Sequence, residues 1–191
     1  MSIDYSWTHY LNQWGVQHKA LTTFLGNDLV YFFIAIAGLW VASRELPGLI
    51  HNKFAMKYTF QKFSQIALRF VIPLVIAVAI SELISGLIGR DRPFVSENGI
   101  TLVFPHDPDG GMPSHHILFM VAIATCIAAS NRILGIALIL LALISGAARV
   151  AAGIHFPSDI AVGAILGFGI VTLYLFLISK FDFFKRFGSF D

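Results

Sequence analysis

One cysteine in 191 residues, Cys126, and a charged fraction of only 13% are what this chain most conspicuously lacks. A lone cysteine excludes an internal disulfide, and its position inside an apolar run argues against a thiolate metal site, leaving a small residue that faces lipid or core. The net charge of +2 provides no basic field of the kind nucleic acid requires, so no nucleic-acid partner is expected. Residues 1–20 hold Asp4 and several polar side chains instead of a basic start followed by an apolar core, so no cleaved leader is expected and insertion falls to internal segments. Internal repeats, low-complexity tracts and linkers are missing too, which makes 1–191 a single domain.

What the chain has is apolar length. Hydrophobic residues make up 57% and the mean hydropathy is +0.76, outside the usual range of soluble domains. The expected class is all-α: a polytopic membrane helix bundle with membrane lipids as partners and about five transmembrane helices. Ahead of these, residues 5–25 mix Tyr5, Trp7, Tyr10 and Trp14 with polar side chains, as an N-terminal interfacial or re-entrant helix would. Crossings are expected near 29–43, which is short unless extended backwards, near 65–88 with a kink at Pro73, near 114–129, near 133–152 and near 157–179. Arg44, Lys53, Lys57, Lys62, Arg132, Lys180, Lys185 and Arg186 fall on one side, which the positive-inside rule assigns to the cytoplasm. The loops carrying Arg92, His116, Arg149 and His155 then face the periplasm or exterior of a bacterial inner (plasma) membrane.

The chemistry-bearing residues bracket an apolar hairpin over about residues 115–148. Its two ends return to one face. At the far end, His155 precedes a helix start at Pro157, and Asp159 stands four residues on, where its carboxylate can accept a ring N–H and leave the other nitrogen free as a nucleophile. A helix-capping aspartate beside an interfacial histidine is the competing reading. Arg149 lies near the end of an apolar helix and needs an anion: a phosphate, or Asp159 or Glu82 in a structural ion pair. At the near end, Pro113 and Ser114 open a helix whose first amides, at His115 and His116, suit an anion, with His116 available as a general acid. Alternatively Ser114 is an ordinary cap and both histidines are loop residues. Arg90 and Arg92, with Pro93, follow the second crossing on the same face, as a phosphate fork or as a positive membrane flank.

Arg92-Pro93, then Pro113-Ser114-x-His116, then Arg149-x5-His155-x3-Asp159 resemble the three-part signature of the type 2 phosphatidic acid phosphatase superfamily, with eight fixed positions agreeing in order and spacing over about residues 65–178. The resemblance implies a phosphatase with no metal and no cofactor. In it His155 is the nucleophile, Asp159 its orienter and His116 the acid, while Arg92, Arg149, Ser114 and the amide of His115 cradle the phosphate. Three positions depart from the pattern: Ser85 stands where the superfamily has lysine, His115 replaces a glycine and Ala148 a serine. Arg90 could substitute for the lysine, and Glu82, one turn before Ser85, is expected to face the site and pair with an arginine. His106, Asp107 and Asp109 read as a solvated turn in a Gly/Pro loop, not as a metal site. Ser85, the short chain and Phe104-Pro-His-Asp107 look like the bacitracin-resistance type of undecaprenyl-diphosphatase, which implies a polyprenyl phosphate substrate. Phosphatidate, phosphatidylglycerophosphate, and a non-catalytic lipid-binding or lipid-translocating bundle are the alternatives, and oligomeric state is left open.

Overall fold

The computed structural model describes residues 3–51 and 63–180, with side chains placed for 3–44 and 63–180. Lys53, Lys57, Lys62, Lys185 and Arg186, five of the cations behind the orientation reading, lie outside the described residues. The elements are α1 (Ile3–Gln17), α2 (Lys19–Thr23) running through a π-helical turn (Phe24–Asp28) into α3 (Leu29–His51), a second π-helical turn (Ala67–Val71) leading into α4 (Ile72–Ile88), a single turn α5 (Pro93–Ser96), and α6 (His115–Ala128), α7 (Arg132–Ala151) and α8 (Pro157–Lys180). Among the described residues there is no strand. Among the described residues four stretches are long and apolar enough to cross a membrane, Lys19–Arg44, Phe63–Ser96, Arg132–Ala151 and Pro157–Lys180, and α6 is a shorter apolar helix. The all-α membrane bundle is therefore the architecture observed.

Two expected boundaries change for local reasons. The first crossing is not short, because α2 and the π turn carry it back to Lys19. Pro73 falls in the first turn of α4, directly after the π turn, so its missing N–H and ring fall where a new α-helical ladder begins.

Helix α6 sits at the centre. Its 14 residues reach about 21 Å, less than the ~30 Å of a hydrocarbon core. The shortfall is tolerated because α6 is surrounded by α3, α4, α7 and α8 and meets protein on every side: Ile117, Leu118, Met120, Val121, Ala122 and Ile127 are all buried. Close approach of α8 depends on Gly163 and Gly167. A Cβ at Gly163 would lie 2.7 Å from the Ser114 carbonyl oxygen, and one at Gly167 would lie 2.5 Å from that of Leu118. Small residues four apart let two membrane helices touch backbone to backbone. Here they bring the start of α6 against the start of α8, where the Ser114 amide donates to the Asp159 carbonyl at 3.1 Å.

Helix α1 lies along α7, with Thr8 and Asn12 buried and Trp7, Tyr10 and Trp14 exposed. Asn12 ties it down: its amide donates to the carbonyls of Thr101 at 2.7 Å and Ala151 at 3.0 Å, and accepts from the Thr101 N–H at 2.8 Å. The N-terminal helix is thus fastened to the end of the bundle at which Arg92, Ser114, Arg149 and His155 emerge.

Candidate active site

Arg92 arrives first. Gly89 ends α4 in a left-handed conformation (φ 57°), which glycine adopts without a Cβ clash, and its N–H closes on the Ser85 carbonyl at 2.9 Å. The chain then leaves the helix axis, and Arg92 occupies the extended cap position before Pro93 starts α5. Its guanidinium is 4% exposed. Nη1 donates to the Ile154 carbonyl at 3.2 Å and to His155 Nε2 at 3.3 Å, while Nε and Nη2 both point at Asp109 Oδ1, at 2.8 and 2.6 Å.

His155 is 2% exposed and sits in the turn between α7 and α8. Its Nδ1 lies 2.9 Å from the Gly111 carbonyl, a contact that requires the ring proton on Nδ1 and leaves the Nε2 lone pair toward Arg92. Burial, followed by the Arg149 and Arg92 cations, holds this imidazole well below its ordinary pKa, so the ring is neutral at neutral pH. The expected hydrogen bond from His155 to Asp159 is not formed. Nδ1 to Oδ2 is 3.7 Å, and Oδ2 instead accepts the Phe156 N–H at 2.8 Å, a backbone donor one residue into the same turn. Asp159 still faces the Nδ1 side of the ring, fully buried, with Oδ1 taken by Arg90 at 2.9 Å.

The other wall comes from α6 and α7. Arg149 is 5% exposed and pairs with neither Asp159 nor Glu82: Nη1 donates to the Gly26 carbonyl at 3.0 Å, Nη2 reaches His106 Nε2 at 3.0 Å, and Nη1 lies 3.5 Å from His116 Nδ1. His116 is also 3.4 Å from the Ser145 hydroxyl through Nε2. Ser114 does not cap α6; its hydroxyl is buried and has no hydrogen-bond partner, and Arg149 Nε is likewise buried and unpartnered. Unmet buried polar groups of this kind ask for a partner. The first amides of α6 add backbone donors that the helix itself cannot satisfy.

The loop read as a solvated turn proves to be part of the site. Asp109 sits on Arg92, and His106, half-buried, accepts from Arg149 and has its Nδ1 3.0 Å from the Asp107 carbonyl. Burial and the nearby arginines lower the His106 pKa, which keeps it neutral and able to accept. Asp109 and His106 are 4.0 Å apart. An unbroken chain of contacts therefore runs from His155 through Arg92, Asp109, His106 and Arg149 to His116.

Two supporting assignments need correction. Glu82 points outward and is 68% exposed, standing 3.6 Å from His115 Nε2 and not against an arginine, because its side of α4 faces away from the bundle. Arg90 is not among the phosphate-facing groups; its donors go to Asp4, Ser158 and Asp159. Ser85, in the lysine position, is close to the loop, so that a Cβ at Gly110 would lie 2.8 Å from its hydroxyl. Among the described residues no group of three or more His, Cys, Asp or Glu is placed to hold a metal ion.

The PAP2 superfamily pattern matches residues 66–182. The bacitracin transport permease protein BcrC of Bacillus licheniformis is 28% identical over 162 residues, 83% of this chain and 72% of that protein. The undecaprenyl-diphosphatase BcrC of Bacillus subtilis is 34% identical over 95 residues, 48% of this chain and 49% of its own length. An undecaprenyl-diphosphatase of Sulfolobus acidocaldarius is 30% identical over 114 residues, 59% of this chain and 55% of that protein, so these last two are matched over about half their length. The matched segment takes in Arg92, Ser114, His116, Arg149, His155 and Asp159 together, and the chain belongs to the PAP2 superfamily.

Proposed function

We propose that this membrane protein hydrolyses undecaprenyl diphosphate to undecaprenyl phosphate through a phosphohistidine on His155, without a metal. The observation that carries the reading is the gathering of a buried, neutral His155 with Arg92, Arg149 and the unpartnered Ser114 hydroxyl at one end of the bundle. Cationic and hydroxyl donors grouped around a nucleophile match the charge of a transferring phosphoryl group. The names of the relatives support the lipid diphosphate as substrate.

In the first half-reaction His155 Nε2 attacks the terminal phosphorus. The Nε2–P bond forms and the bond from phosphorus to the bridging oxygen breaks, with His116 giving that oxygen its proton. Undecaprenyl phosphate leaves. Arg92 Nη1, now 3.3 Å from Nε2, swings onto a phosphoryl oxygen, and Asp109 gives up the rest of the fork. The ring becomes cationic as the N–P bond forms, and the Gly111 carbonyl with the Asp159 carboxylate on its Nδ1 side stabilises that charge. In the second half-reaction His116 takes a proton from water, the new O–P bond forms and the Nε2–P bond breaks, releasing phosphate.

The chain acts as one domain in a bacterial inner membrane, with the site facing the periplasm or exterior. That orientation rests on the cations at the ends remote from the site, Arg44, Arg132 and Lys180 among them. Purified protein in detergent with chelator is expected to release phosphate from undecaprenyl diphosphate faster than from phosphatidate or phosphatidylglycerophosphate. His155→Ala and His116→Ala are each expected to lose nearly all of it. Activity surviving His155→Ala would sink the mechanism, and a preference for a glycerolipid phosphate would move the substrate.

A further inference from the structure

We infer that Arg90 and Asp4 are positioning residues for Asp159, so that helix α1, which lies outside the superfamily match at residues 66–182, forms the back wall of the site. The inference rests on the role given above to Asp159.

Arg90 was a candidate for the missing lysine of the phosphate cradle. Its contacts assign it elsewhere. The guanidinium carbon stands over the Phe156 ring, 4.1 Å from its centroid, where cation–π attraction helps to hold it. From there Nη1 donates to Asp159 Oδ1 at 2.9 Å and to the Ser158 hydroxyl at 2.6 Å, and Nη2 donates to Asp4 Oδ2 at 2.9 Å. One planar cation thereby bridges two carboxylates from different helices.

Asp4 completes the frame. Its Oδ1 accepts the Ser158 N–H at 3.1 Å, an amide in the first turn of α8, and its Oδ2 accepts the Ser158 hydroxyl proton. Burial alone would raise the Asp4 carboxyl, but the Ser158 and Arg90 contacts outweigh it and hold the group below its usual value, charged at neutral pH. Asn12 keeps α1 in place through three hydrogen bonds to Thr101 and Ala151.

The consequence for chemistry lies in the two oxygens of Asp159. Oδ1 is anchored by Arg90 and Oδ2 by the Phe156 N–H at 2.8 Å, and the two together set the carboxylate plane, with Oδ2 3.7 Å from His155 Nδ1. Arg90 shares no acceptor with Arg92 or Arg149. It acts on the reaction through Asp159 and does not grip the substrate. A bland alternative is that Asp4 merely caps α8 from a neighbouring helix, which would stabilise the fold and leave turnover to others.

The test is steady-state kinetics of the full chain in detergent on undecaprenyl diphosphate, with inorganic phosphate as competitor. Arg90→Gln is expected to lower kcat at least about tenfold and Asp4→Asn about threefold or more, each with KM and the phosphate Ki held within about twofold. Arg90→Lys, which keeps the charge but not the fork, is expected to fall between wild type and Arg90→Gln. Combining Asp4→Asn with Arg90→Gln is expected to cost no more than Arg90→Gln alone, because Asp4 acts through Arg90. Losses that multiply in the double variant would make Asp4 an independent cap and overturn the relay. A raised KM or phosphate Ki in Arg90→Gln would make Arg90 a phosphate ligand and overturn it too. Should Arg90→Gln not yield folded protein, the same cycle is run with Arg90→Lys. Asp159→Asn separates the layers: full activity in that variant removes the assigned role of Asp159 itself, whereas lost activity there with unchanged kcat in the Arg90 and Asp4 variants defeats only this inference.

Discussion

Asp109→Asn is the most telling single substitution outside the histidines. The Asp109 carboxylate occupies the fork of Arg92 through two contacts, at 2.8 and 2.6 Å, in the place where a phosphate oxygen is expected. A substrate phosphate must displace it. Asp109 is 66% exposed while Arg92 is only 4% exposed, so the pair is screened from one side and belongs near the top of the range for surface ion pairs, about 1 kcal/mol. Removing that competitor frees about 1 kcal/mol for an incoming anion, a factor of about five in affinity. The assay is competitive inhibition by inorganic phosphate at low ionic strength, where Asp109→Asn is expected to lower the Ki about three- to fivefold, with the gain shrinking as salt screens the pair. Asp107→Asn, at a residue that meets His106 through its backbone carbonyl, serves as the matched control and is expected to leave the Ki unchanged. An unchanged or higher Ki in Asp109→Asn would refute the idea that this carboxylate stands in the phosphate position.

Ser114 offers a second discrimination. Because its hydroxyl does not cap α6 and has no partner, Ser114→Ala is expected to cost less melting temperature in detergent than the ~1 kcal/mol of a lost cap would cause, while raising the phosphate Ki severalfold; a large melting loss with unchanged Ki would make it a structural residue. Arg149 bonds Gly26 and His106 through different nitrogens, so Arg149→Lys, which keeps charge but not the fork, is expected to lower kcat by about two orders of magnitude, and near-normal turnover would show that charge alone suffices. His155 and His106 have pKa values lowered from 6.5, so the unfolded chain binds more protons than the folded one below that value. Their contribution to stability is complete above pH 6.5 and is lost as pH falls from there toward their folded values. The melting temperature is expected to drop between pH 6.5 and about 5, with a shallower drop in His155→Gln, and an identical slope in that variant would contradict the assignment.

Much of the bundle was legible because its apolar runs end on strong local signals. Helix α6 begins after Pro113-Ser114, α8 begins at Pro157, and α7 begins where Asn131 accepts the Leu134 N–H with its side chain. The residues of the signature were legible for the same reason: each sits at or next to such an end. The loop over 98–112 was not, because its Gly, Pro and Asp content reads as a solvated turn. Its short apolar segment, Leu102, Val103 and Phe104, is what pins it down, packing with Ala152 and Ile154 beside His155 and so carrying His106 and Asp109 onto the arginines. That apolar triplet inside a polar loop was the usable signal. Arg90 depended on Gly89 taking a positive φ and ending the helix, and Glu82 on which side of α4 meets the bundle. Hydropathy of an almost wholly apolar helix does not report that side. The spacing of His155 and Asp159 allows a hydrogen bond, but the Phe156 N–H and the Gly111 carbonyl, both invisible in a side-chain pattern, take the two partners first.

The measurement that bears most directly on the central claim is acid-sensitive phosphoryl trapping. Protein mixed with undecaprenyl diphosphate labelled in its terminal phosphate, quenched in alkali within one turnover and digested, is expected to carry the label on the peptide containing His155, on that ring and nowhere else, with the label absent from His155→Ala. Phosphate released at the normal rate with no label on His155 at any time point, or label on another residue, would contradict the account.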